Sequence, residues 1–366
     1  MLLKKIWHSL VAAAAVLLPV GHTHAQDIVN LAELGKEEED LRSVEYDFFT
    51  AGPTLLFSDS PEMVYKDGVL YRDTVSGSVR LFFHHVNAVK PDKKLAVIVK
   101  NTKEMHPVEL NVILRGISEP MYDWLQAGKD AQKAYLKHKQ ELTHKSIGFG
   151  DSVELLTGRG RLVEHNQLVT GIVDLELSRP AEISVVLCEP KTDLELFNEA
   201  AKIQPMDEHP LRGTFTRADY HYVLKHPVKI KDDTVYTLKM ADAPNMIQGI
   251  DKTTGLPAVD NGNYGVLYTV DFSVAGKQKI KLYFNPIGGE FAGQGILEHN
   301  GKRKYIDLPK DYSMGKTIED MVELGTLAKG DYRFIWSPPG SANLPVRMHW
   351  KCAKPLKKNK TAEKEE

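Results

Sequence analysis

The sequence predicts an all-β protein built as two tandem β-sandwich domains, immunoglobulin-like or jelly-roll-like, with one inserted amphipathic helix. Three observations carry this. From Asp47 onward, short apolar runs are separated by Gly, Pro, Asn and Asp, the punctuation of strands and turns. Two segments alternate strictly: Val108, Leu110, Val112 and Leu114 in one, Val266, Tyr268, Val270, Phe272 and Val274 in the other. Alternation of that kind buries one face of a strand. A single stretch, about 119–142, instead places Met121, Trp124, Leu125, Gly128, Ala131, Tyr135 and Leu142 along one stripe at helical spacing. Ser118 is suited to cap that helix, and Pro120 fits its first turn. The stripe is expected to pack on a sheet, so Trp124 reads as core rather than as a ligand contact.

Residues 1–25 read as a signal peptide. Lys4 and Lys5 precede an apolar run from Leu10 to Val20 and a small-residue exit at Thr23-His24-Ala25. The run is shorter than the ~20 residues that span a bilayer, so cleavage near Ala25 is expected, with no span left in the mature chain. Such a chain is exported, to the periplasm or beyond the cell. An acidic leader follows at 26–45, with Glu37, Glu38, Glu39 and Asp40 in series.

The N-terminal sandwich is expected over 46–189. In it Leu95–Val99 and the strand at Val108 are read as a hairpin joined through Asn101–Pro107, and strands are predicted at 152–157, 161–164, 168–177 and 182–188. Pro190, Pro205 and Pro210 mark 190–212 as a linker. The C-terminal sandwich covers 213–352. There the strand ending at Val274 is expected to turn at Ala275-Gly276 and pair with Ile280, Leu282 and Phe284 as a hairpin. Further strands are predicted near 294–298, 303–307, 320–325, 331–336 and 345–350. The charged tail 353–366 is expected to be disordered and solvated.

Removing Lys4 and Lys5 from the 47 basic residues leaves 45 against 49 acidic ones, a net charge of about −4. That balance argues against nonspecific nucleic-acid binding. The basic run Lys351–Lys360 carries no interleaved aromatics and is followed by Glu363, Glu365 and Glu366. Cys188 and Cys352 are the two cysteines. An exported pair can form a disulfide or stand as two free thiols, and both remain open at this level.

Motifs for chemistry are sparse. His84-His85 are neighbours on a predicted strand and should face opposite sides, and neither HExxH nor CxxC occurs. No metal or cofactor is expected. The glycine-rich segment Asn285–Gly301 lacks the lysine of a phosphate loop, so Gly288, Gly289 and Gly293 are read as turns between strands. Asp251, Asp260, Asn261 and Asn263 could gather oxygens for calcium but fit turns better. There is no GxSxG nucleophile, and among the carboxylates no catalytic pair can be selected by sequence.

Two groups of segments carry a resemblance. DSPEMVYKDGVLYRDTVSGSVRLFFHHVN (59–87), continued through Arg115-Gly116 and Gly128-Lys129, is similar to exported bacterial proteins described as containing a copper amine oxidase N-terminal-type domain. NPIGGEFAGQG and SPPGSANLPVRMHW (337–350) resemble their C-terminal part, so the likeness spans about 50–350. It implies an envelope-associated accessory module. It does not imply oxidase chemistry: Asn263-Tyr264 is followed by Gly265, and the one HxH, His22-Thr23-His24, lies in the signal peptide. The expectation is therefore an exported, non-catalytic interaction module whose partner is an envelope polysaccharide or another envelope protein. The alternative is a carbohydrate-binding module or a polysaccharide-active hydrolase. It would use exposed aromatics, with Trp336, Trp350, Tyr264 and Tyr305 as candidates.

Overall fold

The computed structural model describes residues 41–102, 105–137, 143–156, 162–313 and 321–353, apart from the side chains of 309–313. The expected signal peptide, the leader up to residue 40, Leu142 and the tail from residue 354 lie outside the described residues.

The fold is all-β and of sandwich type, as the patterning predicts. Short strands β1 (Arg42–Ser43), β2 (Tyr46–Ala51), β3 (Thr54–Ser58) and β4 (Met63–Val64) lead into the 20-residue β5 (Gly68–Asn87). Then come β6 (Lys93–Lys100), β7 (Val108–Ile117), helix α1 (Trp124–Lys137), β8 (Thr143–Ile147), β9 (Ser152–Glu154) and β10 (Leu162–Val163). The 21-residue β11 (Leu168–Cys188) merges the two strands expected at 168–177 and 182–188, with a register irregularity between Leu177 and Ala181. After the short helix α2 (Leu194–Ala200) come β12 (Arg212–Phe215), β13 (Asp219–Leu224), β14 (Tyr236–Met240), β15 (Gln248–Asp251), β16 (Leu256–Val259) and β17 (Leu267–Val274). The rest are β18 (Ile280–Pro286), β19 (Gly289–His299), β20 (Lys302–Ser313), β21 (Val322–Leu327), β22 (Gly330–Trp336) and β23 (Val346–Cys352).

These strands form three sheets. The largest runs β10-β6-β11-β5-β3-β12-β15-β16, with β4, β7, β8 and β9 attached to its flanks. A six-stranded sheet runs β2-β13-β17-β22-β19-β20, and a five-stranded one β1-β14-β23-β18-β21. The two smaller sheets face each other. Phe284 on β18 meets Trp336 on β22 at 5.5 Å between ring centres, and Phe272 on β17 meets Trp350 on β23 at 5.4 Å. The alternation at Val266–Val274 supplies this core: all five apolar positions are buried.

Strand pairing crosses the 190–212 segment. β1 and β2 precede it in sequence yet pair with β14 and β13, and β12 follows it yet pairs with β3. The large sheet is buried on both sides near β3. Leu55 and Phe57 join the core of the smaller sheets, whereas Leu56 belongs to a second core with Leu81, Phe83 and Val173. Because successive side chains point to opposite faces, one short strand ties both cores together.

Two expected hairpins are not formed. β6 and β7 do not pair with each other; each lies beside a different stretch of β11, β6 along Glu182–Cys188 and β7 along Gly171–Leu177. Likewise β17 pairs with β13 and β22, while β18 crosses to the opposite sheet to pair with β21 and β23. In both cases the apolar pattern fixes which face is buried and leaves the pairing partner free. In the glycine-rich segment Gly288 and Gly289 make the expected turn, between β18 and β19 with Gly289 at φ 121°, but the stretch that follows, to His299, is strand. Gly293 lies inside β19, and a side chain at Gly288 would strike the Leu344 carbonyl oxygen at 2.2 Å.

Helix α1 begins later than expected. Asp123, not Ser118, caps it by accepting from the Gln126 backbone N–H at 3.0 Å, while the Ser118 hydroxyl accepts from the Thr170 N–H. Of its stripe Gly128, Ala131 and Tyr135 are buried while Met121, Trp124 and Leu125 are half-buried, and Ala127 and Leu136 are buried beside them. Gly128 lets the helix touch the 337–345 loop: a Cβ there would lie 1.8 Å from the Gly340 oxygen. Gly128→Ala is therefore expected to destabilise the protein by about 1–3 kcal/mol through overpacking. An unhindered helix site would gain up to ~1 kcal/mol from the same change. Urea denaturation reads the sign.

Candidate functional site

β12 runs antiparallel to β3 with Arg212 opposite Ser58, so the chain entering β12 lies beside the chain leaving β3. The Asp59 N–H donates to the Leu211 carbonyl at 3.0 Å, and Lys202 and Gln204 bond to the backbone of Val69. Between residues 61–66 and the 202–209 strap opens a cleft of about 760 Å³. Met63, Tyr65, Ile203 and Met206 form its apolar wall, and Glu62, Lys66 and His209 are among its polar residues. Tyr65 is 65% exposed.

Asp207 fastens the strap. Its carboxylate accepts from the Ser60 hydroxyl at 2.8 Å, the Glu62 N–H at 2.7 Å and the His209 N–H at 3.0 Å. Beneath it lies Arg212, 2% exposed, with donors to Asp251, to the carbonyls of Ser60, Leu70 and Gln204, and to the Thr253 hydroxyl. Burial alone would raise the Asp251 carboxyl; bonds from Thr253 and Arg212 outweigh it and hold the group below the usual range.

Ser58 and His85 make a buried pair. His85 Nδ1 lies 2.9 Å from the Pro61 carbonyl and so carries the proton, which leaves Nε2 to accept from the Ser58 hydroxyl at 2.8 Å. The arrangement has the outline of a nucleophile and its base. Yet Ser58 is 0% and His85 1% exposed, and burial drives the imidazole down to about 4, so the pair is sealed. His84 points the other way, with Nε2 3.2 Å from the Ser341 hydroxyl, as expected for neighbours on a strand.

Behind the cleft, four carboxyl groups share one neighbourhood. Burial, then Glu62, Asp260 and Asp207, pushes Asp59 well above the carboxylate range. Burial pushes Asp260 up to about 8 against the pull of nearby backbone N–H groups, including that of Gly262 at 3.1 Å. Glu62 is raised by burial and by Asp207. Among the described residues, no three His, Cys, Asp or Glu side chains converge as a metal site. Asp260 and Asn263 form the predicted turn, while Asp251 belongs to the Arg212 network.

The sequence leaves Cys188 and Cys352 open between a disulfide and two free thiols, and names four candidate aromatics. Cys188 and Cys352 are both free and buried, at the ends of strands in different sheets, so the disulfide is absent. Burial pushes the Cys188 thiol up to about 11. Trp336 and Trp350 are 0% exposed. Trp336 stacks on Tyr268 at 4.8 Å, which leaves no ring face for a sugar. Tyr264 is partly buried between Phe57 and Phe82 and donates its hydroxyl to the Ala342 carbonyl. Tyr305 alone of the four is exposed, and Lys137 sits 5.4 Å from its ring centre. The cleft residues escaped sequence reasoning because Ser60 and Asp207 lie 147 positions apart. The prolines at 205 and 210, which suggested a linker, were the available signal.

No family model matches the chain, and no curated protein matches it. Among solved structures, an allantoicase is 12% identical with a TM-score of 0.15, covering 82% of this chain and 90% of its own. The Macrobrachium rosenbergii nodavirus structure is 12% identical with a TM-score of 0.13, covering 94% and 96%. Vicilin from Capsicum annuum is 8% identical with a TM-score of 0.09, covering 74% of each chain. Likenesses this slight define neither family nor function.

Proposed function

We propose that this chain is an exported, non-catalytic β-sandwich protein that works as a cell-envelope or extracellular-matrix interaction module, as its resemblance to copper amine oxidase N-terminal-type proteins implies. One observation carries the reading: the 760 Å³ cleft keeps Met63, Tyr65, Ile203 and Met206 on its wall while protein donors already occupy Asp207. A surface whose fastening carboxylate is committed to structure, and whose apolar groups are open, is built to bind. The partner is an envelope polysaccharide or an envelope protein seated across Tyr65 and Ile203.

The test is retention of the protein on purified envelope polysaccharide fractions and envelope proteins, measured as saturable binding. Tyr65→Ala and Ile203→Asp are each expected to weaken binding by about tenfold, the ~1.4 kcal/mol typical of a contact anchor. Unchanged binding by both variants would remove the cleft from the proposal. A second reading, polysaccharide hydrolysis, draws on Glu62, whose carboxyl is raised by burial beside Asp207 in the cleft. Release of reducing ends that Glu62→Gln abolishes would replace the binding role with that activity.

A further inference from the structure

We infer that Asp59 and Asp260, set beside Glu62 and Asp207, form a proton-binding site that holds the 202–209 strap shut, so that the cleft loosens as pH rises. This goes beyond the binding role and holds whatever occupies the cleft. Two atoms point to the bound proton. Asp59 Oδ1 and Asp260 Oδ2 are buried and have no hydrogen-bond partner in the protein, in residues 6% and 0% exposed. An ionised carboxylate oxygen shut away from water without a donor is too costly to persist, and the group takes a proton instead.

No cation acts on Asp59 or Asp260, whereas His209 on the strap draws the neighbouring Glu62 carboxyl down against burial and Asp207. On the turn leaving β3, Glu62 faces Asp59; from the strap come Asp207 and His209. Arg212 on β12 is committed to Asp251 at 3.0 Å. His85 on β5 is held neutral by burial, and Tyr264 and Tyr220 are both raised by burial, with the nearby carboxyls adding to the rise. The coupling to the strap is direct, because Asp207 bonds to Ser60 and Glu62 on the same turn as Asp59. Ionising Asp59 or Asp260 therefore sets like charges against the groups that make those bonds.

The sign follows from linkage. Both aspartates stand above their unfolded values near 3.8, so the closed form binds protons that the open form releases. The stabilisation is complete below about pH 4, declines above it and is lost once pH passes the folded value of about 8 for Asp260. Each proton released on opening raises the opening constant about tenfold per pH unit in that window.

Hydrogen exchange of the protein, corrected for intrinsic rates, tests this between about pH 6 and about pH 9. Amides of 58–62 and 202–209 are expected to lose protection while β11 keeps its own. Asp260→Asn should flatten the dependence, since its amide can donate toward Asp59; Asp59→Asn is the second variant should the first fail to fold. Infrared spectra should show a protonated carboxyl near neutral pH that disappears by about pH 9. A strap as well protected at the high pH as at the low, or no protonated carboxyl near neutrality, would overturn the inference. So would a strap protected by calcium in the wild type but not in Asp260→Asn, because a metal ion would then be the ligand.

Discussion

Arg212→Ala is expected to lower the unfolding free energy by about 3–5 kcal/mol, the cost of stranding a buried ion-pair partner. Asp251, whose side chain is 3% exposed, would keep its charge without its cation. The carbonyls of Ser60, Leu70 and Gln204 would each lose a donor at the same time. Arg212→Lys would fare little better, because one ammonium cannot reach acceptors spread around a planar guanidinium. Equilibrium urea unfolding, with the midpoint read at constant slope, measures the loss. A change below about 1 kcal/mol would show that water or local rearrangement replaces the network.

Trp336→Ala should cost a similar ~3–5 kcal/mol, for a different reason. The indole is enclosed by Tyr268 and Phe284, so truncation leaves a cavity at the centre of the sandwich. Any loss of ligand binding in this variant would follow from the loss of fold, and near-ultraviolet circular dichroism would report both together. Tyr65→Ala makes the useful contrast. Its ring is exposed, so stability should stay within about 0.5 kcal/mol while binding falls.

Much of the secondary structure was legible because burial on a strand leaves a period of two. The same period held information about the aromatics. Tyr332, Phe334 and Trp336 alternate with Arg333 and Ile335, and Val346, Met348 and Trp350 alternate with Arg347 and His349. Each tryptophan thus continues a run of inward side chains, and the structure buries both. Strand partners were a different matter. An apolar stripe specifies a face but carries no address, which is why Leu95–Val99 and Val108–Leu114 could be read as neighbours when β11 separates their roles. The cleft was illegible for a related reason: Asp59, Asp207 and Asp260 belong to three separate parts of the chain, and their shared field exists only after β3 and β12 pair.

Pairing across such distances also sets a timetable. β2 finds its partner only when β13 has been made, and β3 lies between β5 and β12, whose closure encloses well over a hundred residues. Folds dominated by contacts this remote reach the native state in roughly milliseconds to seconds, because the entropy of closing each loop is spent before the contact repays it. During synthesis the aromatic strand bearing Tyr46, Phe48 and Phe49 waits with an open hydrogen-bonding edge, the configuration most prone to pairing with another chain. A chain halted before Tyr220 and Tyr222 would leave that strand permanently unaccompanied. The first strands of this protein are consequently completed only by strands made more than a hundred residues later.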